Sequence, residues 1–242
     1  MIWILLPGMT ETPEEFGPVL ELVPGADVRV IDPWVTPVNA DPAVLRAAAG
    51  VPAEVGIGLI GHSIGGLAAL RWALSRPGEV ERLVLVDSTL PSETGHRRFY
   101  PGTRADRIVR GFLGALGWTG LPWLLGPVIR RTSVRVGSVT KRDPLSKAII
   151  KRRYGVSSSW QQFWDELAAS WVAAEQVGKL LAQGPDSVVL VAVGGGSRAG
   201  ADSWLAGQRE LAGTLGGRVE VLADSAHLVH LDRPDAIAAA IR

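Results

Sequence analysis

The stretch Val55-Gly-Ile-Gly-Leu-Ile60 runs straight into Gly61-His62-Ser63-Ile64-Gly65-Gly66, so that an apolar run ends in a G-x-S-x-G turn and opens a helical pattern. A residue on so sharp a strand-to-helix turn is held in strained backbone angles, and small neighbours such as Gly61 and Gly65 let the flanking segments close up around it. The Ser63 hydroxyl is then projected above the sheet, which makes Ser63 the candidate nucleophile. In a chain with 29 Gly among 242 residues the five-letter motif is weak alone, and its context has to carry the reading.

That context is a series of short runs rich in Val, Ile and Leu at residues 2–6, 28–31, 55–60, 83–86, 188–193 and 219–222. Most are followed by a turn and a helical pattern. Runs that are apolar on both faces suit parallel strands covered by helices on each side. Helices are expected over 13–22, 42–49, 64–75, 203–215 and 234–241, several with a proline in the first turn, where its missing N–H costs nothing. The expected fold class is therefore α/β, a doubly wound and mainly parallel sheet of about six strands.

The rhythm breaks once, between the runs at 83–86 and 188–193. About a hundred residues is too long for a plain loop in a compact domain. Helical patterns at 104–116, 145–153 and 159–181 make it a helical insertion, read as a lid on the carboxyl edge of the sheet. The expected organisation is a core formed by residues 1–90 and 186–242, with a lid at 91–185. From Pro91 to Pro185 there are 15 Lys and Arg against 6 Asp and Glu, whereas the rest of the chain carries 10 against 18. The near-neutral total of +1 thus conceals a basic lid on an acidic core.

Composition excludes several classes. With 47% hydrophobic and 20% charged residues the chain can bury one large core. Without cysteine there is neither a disulfide framework nor a thiolate metal site, and the four His contain no H-x-x-x-H pair, so neither metal nor cofactor is expected. The start, Met1-Ile-Trp-Ile-Leu-Leu6, has no basic flank and stops at Pro7-Gly8, so it reads as a strand rather than a signal, and the expected location is cytoplasmic. No eighteen-residue apolar run occurs; residues 112–128 come nearest and are broken by glycines, Pro122 and Pro127. Nucleic acid is not an expected partner, since no binding motif accompanies the positive charge. Oligomeric state is left open.

In these features the chain resembles the α/β-hydrolase superfamily over residues 1–88 and 187–242. The elbow Gly61-His62-Ser63-Ile64-Gly65 matches in context as well as in letters. Ala226-His227-Leu-Val-His-Leu-Asp232-Arg-Pro234 is similar to the family's histidine loop, with Ala226 where Gly is more usual. The resemblance implies that His227 is the general base. It also implies that Leu5-Leu-Pro7-Gly8-Met9-Thr10 is the oxyanion loop, with Pro7-Gly8 in place of His-Gly. Acyl transfer needs two preorganised backbone donors for its tetrahedral intermediate, and the expected pair is the N–H groups of Ile64 and Met9. The acid is less simply placed. The turn after 188–193, Gly194-Gly-Gly-Ser-Arg-Ala-Gly200, offers no carboxylate before Asp202, whereas Leu83-Val-Leu-Val-Asp87 ends in one. An acid at that earlier strand end is known in part of the family, so Asp87 is preferred and Asp202 comes second.

The implied function is a serine hydrolase cleaving a carboxylic ester or thioester of a small-molecule acyl substrate through an acyl-enzyme on Ser63. The same scaffold also carries lyases of the hydroxynitrile type and non-catalytic ligand-binding receptors. Trp118, Trp123, Trp160, Trp164 and Trp171 fall in the lid, where they line an acyl pocket or form a small helical core, two readings of about equal weight. The segment from Phe112 to Gly126, flanked by Arg110 and by Arg130-Arg131, also has the make-up of a membrane-surface stretch, a minor reading. His62 and His230 are read as packing or solvent-facing residues, and Asp232 as a structural carboxylate near a helix start.

Overall fold

A computed structural model describes residues 1–194 and 201–242. Six strands, β1 (Ile2–Leu6), β2 (Asp27–Val30), β3 (Ile57–His62), β4 (Val80–Val86), β5 (Asp186–Ala192) and β6 (Arg218–Leu222), form one parallel sheet in the order β2-β1-β3-β4-β5-β6. The helices are α1 (Gly17–Glu21), α2 (Pro42–Ala48), α3 (Ile64–Ser75), α4 (Arg104–Gly117), α5 (Leu121–Gly137), α6 (Lys147–Tyr154), α7 (Ser157–Leu180), α8 (Ala201–Leu215), α9 (Val229–Asp232) and α10 (Pro234–Ile241).

The period-2 alternation of buried strand residues divides the core between the two faces of the sheet. Ile4, Leu6, Leu59, Leu83, Leu85, Val189 and Val191 pack with Leu67, Leu70 and Trp72 of α3 and with Ala173, Ala174 and Val177 of α7. Trp3, Leu5, Ile60, Val84, Val86 and Leu190 pack with Phe16, Val19, Ile237 and Ile241 on the other face. The chain winds outward in both directions from the β1–β3 pair, so the crevice beyond the carboxyl ends of these strands is where such sheets bind ligands.

Local differences from expectation have local causes. β3 starts at Ile57, because the N–H of Val55 turns back to the carbonyl of Pro52. The 13–22 helix is two pieces, a 3-10 turn over Pro13–Phe16 followed by α1. The first piece is closed by Thr12 and Glu15, whose carboxylate accepts the Thr12 N–H at 2.9 Å. α5 was not expected, yet it forms with Pro122 in its first turn and Pro127 inside it. Gly126 permits it, since a side chain there would overlap the Tyr154 carbonyl where α5 crosses α6.

Residues 91–185 hold α4 to α7. α4, α5 and α6 stand over the carboxyl edge, while α7 runs down to pack along α3 and gives the sheet part of its own core.

Candidate active site

Ser63 follows β3 directly and caps α3 with φ 52° and ψ −122°, the left-handed region that disfavours a side chain. Its strain is held on both sides: the Ser63 N–H donates to the Val86 carbonyl at 3.1 Å, and the Ser63 carbonyl accepts from Thr89 at 3.0 Å. A Cβ at Gly65 would overlap the carbonyl oxygens of Leu6 and Pro7, so only glycine lets the loop after β1 lie against the start of α3.

Asp87 directly follows β4 at φ 40°, fully buried, its N–H bound to the Leu190 carbonyl at 2.8 Å. His227 arrives from the loop after β6. Its Nδ1 lies 2.6 Å from Asp87 Oδ2 and its Nε2 lies 3.1 Å from Ser63 Oγ. The other carboxylate oxygen, Asp87 Oδ1, accepts the Ala192 N–H at 3.2 Å and the Trp204 indole N–H at 2.9 Å. Two N–H donors on one oxygen favour the ionised carboxylate, so Nδ1 of His227 carries the proton and Nε2 is left to accept from the Ser63 hydroxyl. The structure thus brings Ser63, His227 and Asp87 into one relay. Asp202 sits exposed on the first turn of α8. The turn residues 195–200, considered above for the acid, lie outside the described residues.

Ile64 is the first residue of α3, and an N–H in that position has no partner within the helix. Gly8, across from it on the β1 loop, has its N–H committed to Glu11 Oε2 at 2.5 Å, which leaves Met9 as the next residue of the loop.

Beneath this loop lies a buried ionic cluster that the sequence reading did not assemble. Glu11 Oε1 approaches His62 Nδ1 to 2.6 Å, and His62 Nε2 lies 2.7 Å from the His227 carbonyl. A carbonyl only accepts, so Nε2 of His62 carries a proton. Burial disfavours charge on Glu11, but the His62 and His230 rings and the Gly8 N–H overcome it and hold the Glu11 carboxyl at about 2. Burial likewise opposes charge on His62, and the Glu11 carboxylate outweighs it and raises the His62 pKa. Charge attraction between the two favours an imidazolium–carboxylate pair, which ties the loop after β1, the turn before α3 and the loop after β6 together.

His230 stacks on Phe16 with ring centroids 4.5 Å apart, and its Nε2 is 3.5 Å from Glu15 Oε2. Glu15 in turn takes a 2.7 Å bond from Arg130 of α5, whose guanidinium also grips Asp143. His62 and His230 are thus buried residues packed beside the Glu11 and Glu15 carboxylates, not solvent-facing ones. Glu11, His62 and His230, all buried, also place three ligand-type atoms within 4.8 Å of one another. Asp232 does not cap α10; its carboxylate receives Ala226 N–H, Val139 N–H, Thr140 N–H and Ser138 O–H, pinning the histidine loop to the segment after α5.

A cavity of about 340 Å³ opens between helices α4–α7 and the loop after β1, lined by Thr10, Trp34, Ile129, Tyr154, Phe163 and Trp164 among others. It meets the relay's neighbourhood at Thr10 rather than at Ser63 itself. The five tryptophans between residues 118 and 171 divide. Trp160 and Trp164 line the cavity, Trp171 packs edge-on against Trp164, and Trp118 and Trp123 face outward.

Trp204, Glu11, Glu15 and Arg130 are thus the site residues that sequence reasoning missed. Thr12-x-x-Glu15 was the one available signal, a helix-capping pattern that placed Glu15 at a helix start without revealing its second partner.

No curated protein sequence matches the chain. Solved structures do. An α/β hydrolase fold protein from Burkholderia ambifaria aligns at TM-score 0.71 and 17% identity over 99% of this chain and 89% of its own. The enol-lactonase from Burkholderia xenovorans gives 0.63 and 17% over 99% and 89%, and the thioesterase domain from the curacin biosynthetic pathway gives 0.61 and 16% over 99% and 90%. At these identities the likeness is one of fold. The model of the alpha/beta hydrolase family matches residues 4–240, nearly the whole length, and the chain therefore belongs to the alpha/beta hydrolase family.

Proposed function

We propose that the protein is a serine hydrolase that cleaves a carboxylic ester or thioester with an apolar acyl part. The observation that carries the reading is the relay from Ser63 Oγ through His227 to Asp87, at 3.1 and 2.6 Å, on an elbow with φ 52°. In this reading neutral His227 takes the Ser63 proton as the oxygen attacks the acyl carbon, and the Asp87 carboxylate stabilises the imidazolium that forms. The N–H groups of Ile64 and Met9 receive the oxyanion, each such donor contributing about 3 kcal/mol in comparable sites. His227 then returns the proton to the leaving group, and the same base activates water to release the acid.

The cavity supports an apolar rather than an anionic acyl group. Its lining is mostly aromatic and aliphatic, and the arginine within it, Arg130, is already neutralised by Glu15 and Asp143. Against the alternative of a non-catalytic ligand-binding receptor, which the missing acid after residues 188–193 favours, stands the 2.6 Å contact of Asp87 with His227.

The test is turnover of p-nitrophenyl acyl esters of increasing chain length. Ser63→Ala is expected to abolish turnover while leaving the circular dichroism spectrum and melting curve unchanged. Undiminished activity in that variant would refute the assignment.

A further inference from the structure

From Arg107 to Arg142 the chain contains no Asp or Glu and seven Lys or Arg. This acid-free stretch is most of the α4–α5 pair, and its outer surface is divided along its length. On α5 the positions Leu124, Val128, Arg131 and Arg135 follow i+4, i+3, i+4 spacing and so share one face. All four are exposed. On α4 the exposed residues Arg104, Ile108 and Phe112 make a similar stripe that leads to Trp118 in the turn. Both stripes are apolar towards the α4–α5 turn and basic away from it.

The turn itself is apolar and uncovered. Trp118 is 93% exposed, and Trp123 and Leu124 are each 60% exposed. None of these lines the cavity, whose wall uses Val109, Leu113 and Ile129 instead. Lys151 of α6 stands over the Trp123 ring at 5.0 Å, extending the basic collar around the turn. By helix rise, Arg131 lies about 10 Å and Arg107 about 16 Å from the apolar end. Interfacial helices bury their apolar part about 5–10 Å deep, which would set these arginines at the level of lipid headgroups. No single helix among the described residues is long and apolar enough to cross a membrane, and the chain bends by 108° between α4 and α5. The shape is that of a wedge.

We propose that the α4–α5 turn docks on an anionic lipid surface, with Trp118, Trp123 and Leu124 inserted at the interface and Arg107, Arg131, Arg135 and Lys151 against acidic headgroups. The basic collar distinguishes this from a bare hydrophobic contact with a second copy of the chain, whose own collar would repel it. The inference rests on the outer surface of the lid and does not depend on the activity proposed above.

The experiment is co-sedimentation of the full chain with vesicles of phosphatidylcholine containing about 30 mol% phosphatidylglycerol, and with vesicles of phosphatidylcholine alone. Binding is expected to the acidic vesicles, falling about tenfold as salt rises from about 0.05 to about 0.5 M. The double variant Trp118→Ser with Leu124→Ser, and separately Arg131→Gln with Arg135→Gln, are each expected to weaken it about tenfold. All these positions are exposed, and melting curves and ester turnover in free solution should match the wild type. Failure to bind acidic vesicles, equal binding to both vesicle types, or a wild-type dimer in light scattering that Trp118→Ser dissociates would each overturn the proposal.

Discussion

Replacing Glu11 by Gln removes one buried negative charge and leaves the side-chain shape nearly unchanged. The carboxylate lies 2.6 Å from the His62 ring and accepts the Gly8 N–H, and its surroundings pull its pKa from 4.5 to about 2. At about 1.4 kcal/mol per unit, that shift corresponds to about 3 kcal/mol of native-state stability. The figure lies near the low end of what breaking a buried ion pair costs, about 3–5 kcal/mol. Because the carboxyl pKa is depressed in the folded protein, this contribution is complete above pH 4.5 and disappears as pH falls towards 2. Urea unfolding followed by tryptophan fluorescence should therefore show Glu11→Gln about 3 kcal/mol less stable than wild type at pH 7, with the gap closing at pH 3 and below. Turnover at pH 7 should fall too, since Gly8 and the His227 carbonyl lose a common anchor. A variant as stable as wild type at pH 7, or a gap independent of pH, would refute the charged-pair reading.

The remaining predictions address the relay, the lid and the cavity. Asp87→Asn should lower kcat about 10⁴-fold by leaving His227 in the wrong tautomer, whereas Asp202→Asn should leave kcat within about twofold; the reverse ranking in steady-state assays would move the acid to Asp202. Burial, opposed in part by Gln162 and the Thr10 N–H, pushes the Glu166 carboxyl up to about 7. Its folded pKa lies above the unfolded value, so stability should fall between pH 4.5 and 7, and Glu166→Gln should remove that slope and gain about 3 kcal/mol at pH 8; parallel urea-stability profiles would contradict this. Phe163→Ala should enlarge the cavity and move the optimum of p-nitrophenyl acyl esters to longer chains, whereas an unchanged chain-length profile would place the acyl group elsewhere.

The sheet was readable because its evidence is local. Four of the six strands, β1, β3, β4 and β5, are short runs rich in Val, Ile and Leu between turns, and burial on both faces is what such runs require. The elbow was readable for the same reason: the geometry of Ser63 depends on Gly61 and Gly65, its near neighbours in the chain. Asp87 and His227 are 140 residues apart, and only the resemblance placed them near one another; their 2.6 Å contact is a product of strand order.

What stayed hidden depends on distant segments meeting. Glu11, Glu15, His62, Arg130 and His230 come from four regions and look like ordinary surface charges until the fold buries them together. Trp204 reaches Asp87 only because α8 packs against β5 and β6, at the end of the sheet next to β4. α5 was obscured by its own composition, since Pro127 and the surrounding glycines argue against a helix that tertiary packing on α6 nevertheless supports.

The central claim is that His227 and Asp87 activate Ser63 for acyl transfer. Intact-protein mass spectrometry with peptide mapping after incubation with a fluorophosphonate probes it most directly. The account predicts a single phosphonyl adduct on the peptide containing Ser63, absent in Ser63→Ala and strongly slowed in His227→Ala; no adduct, or one on another residue, would contradict it.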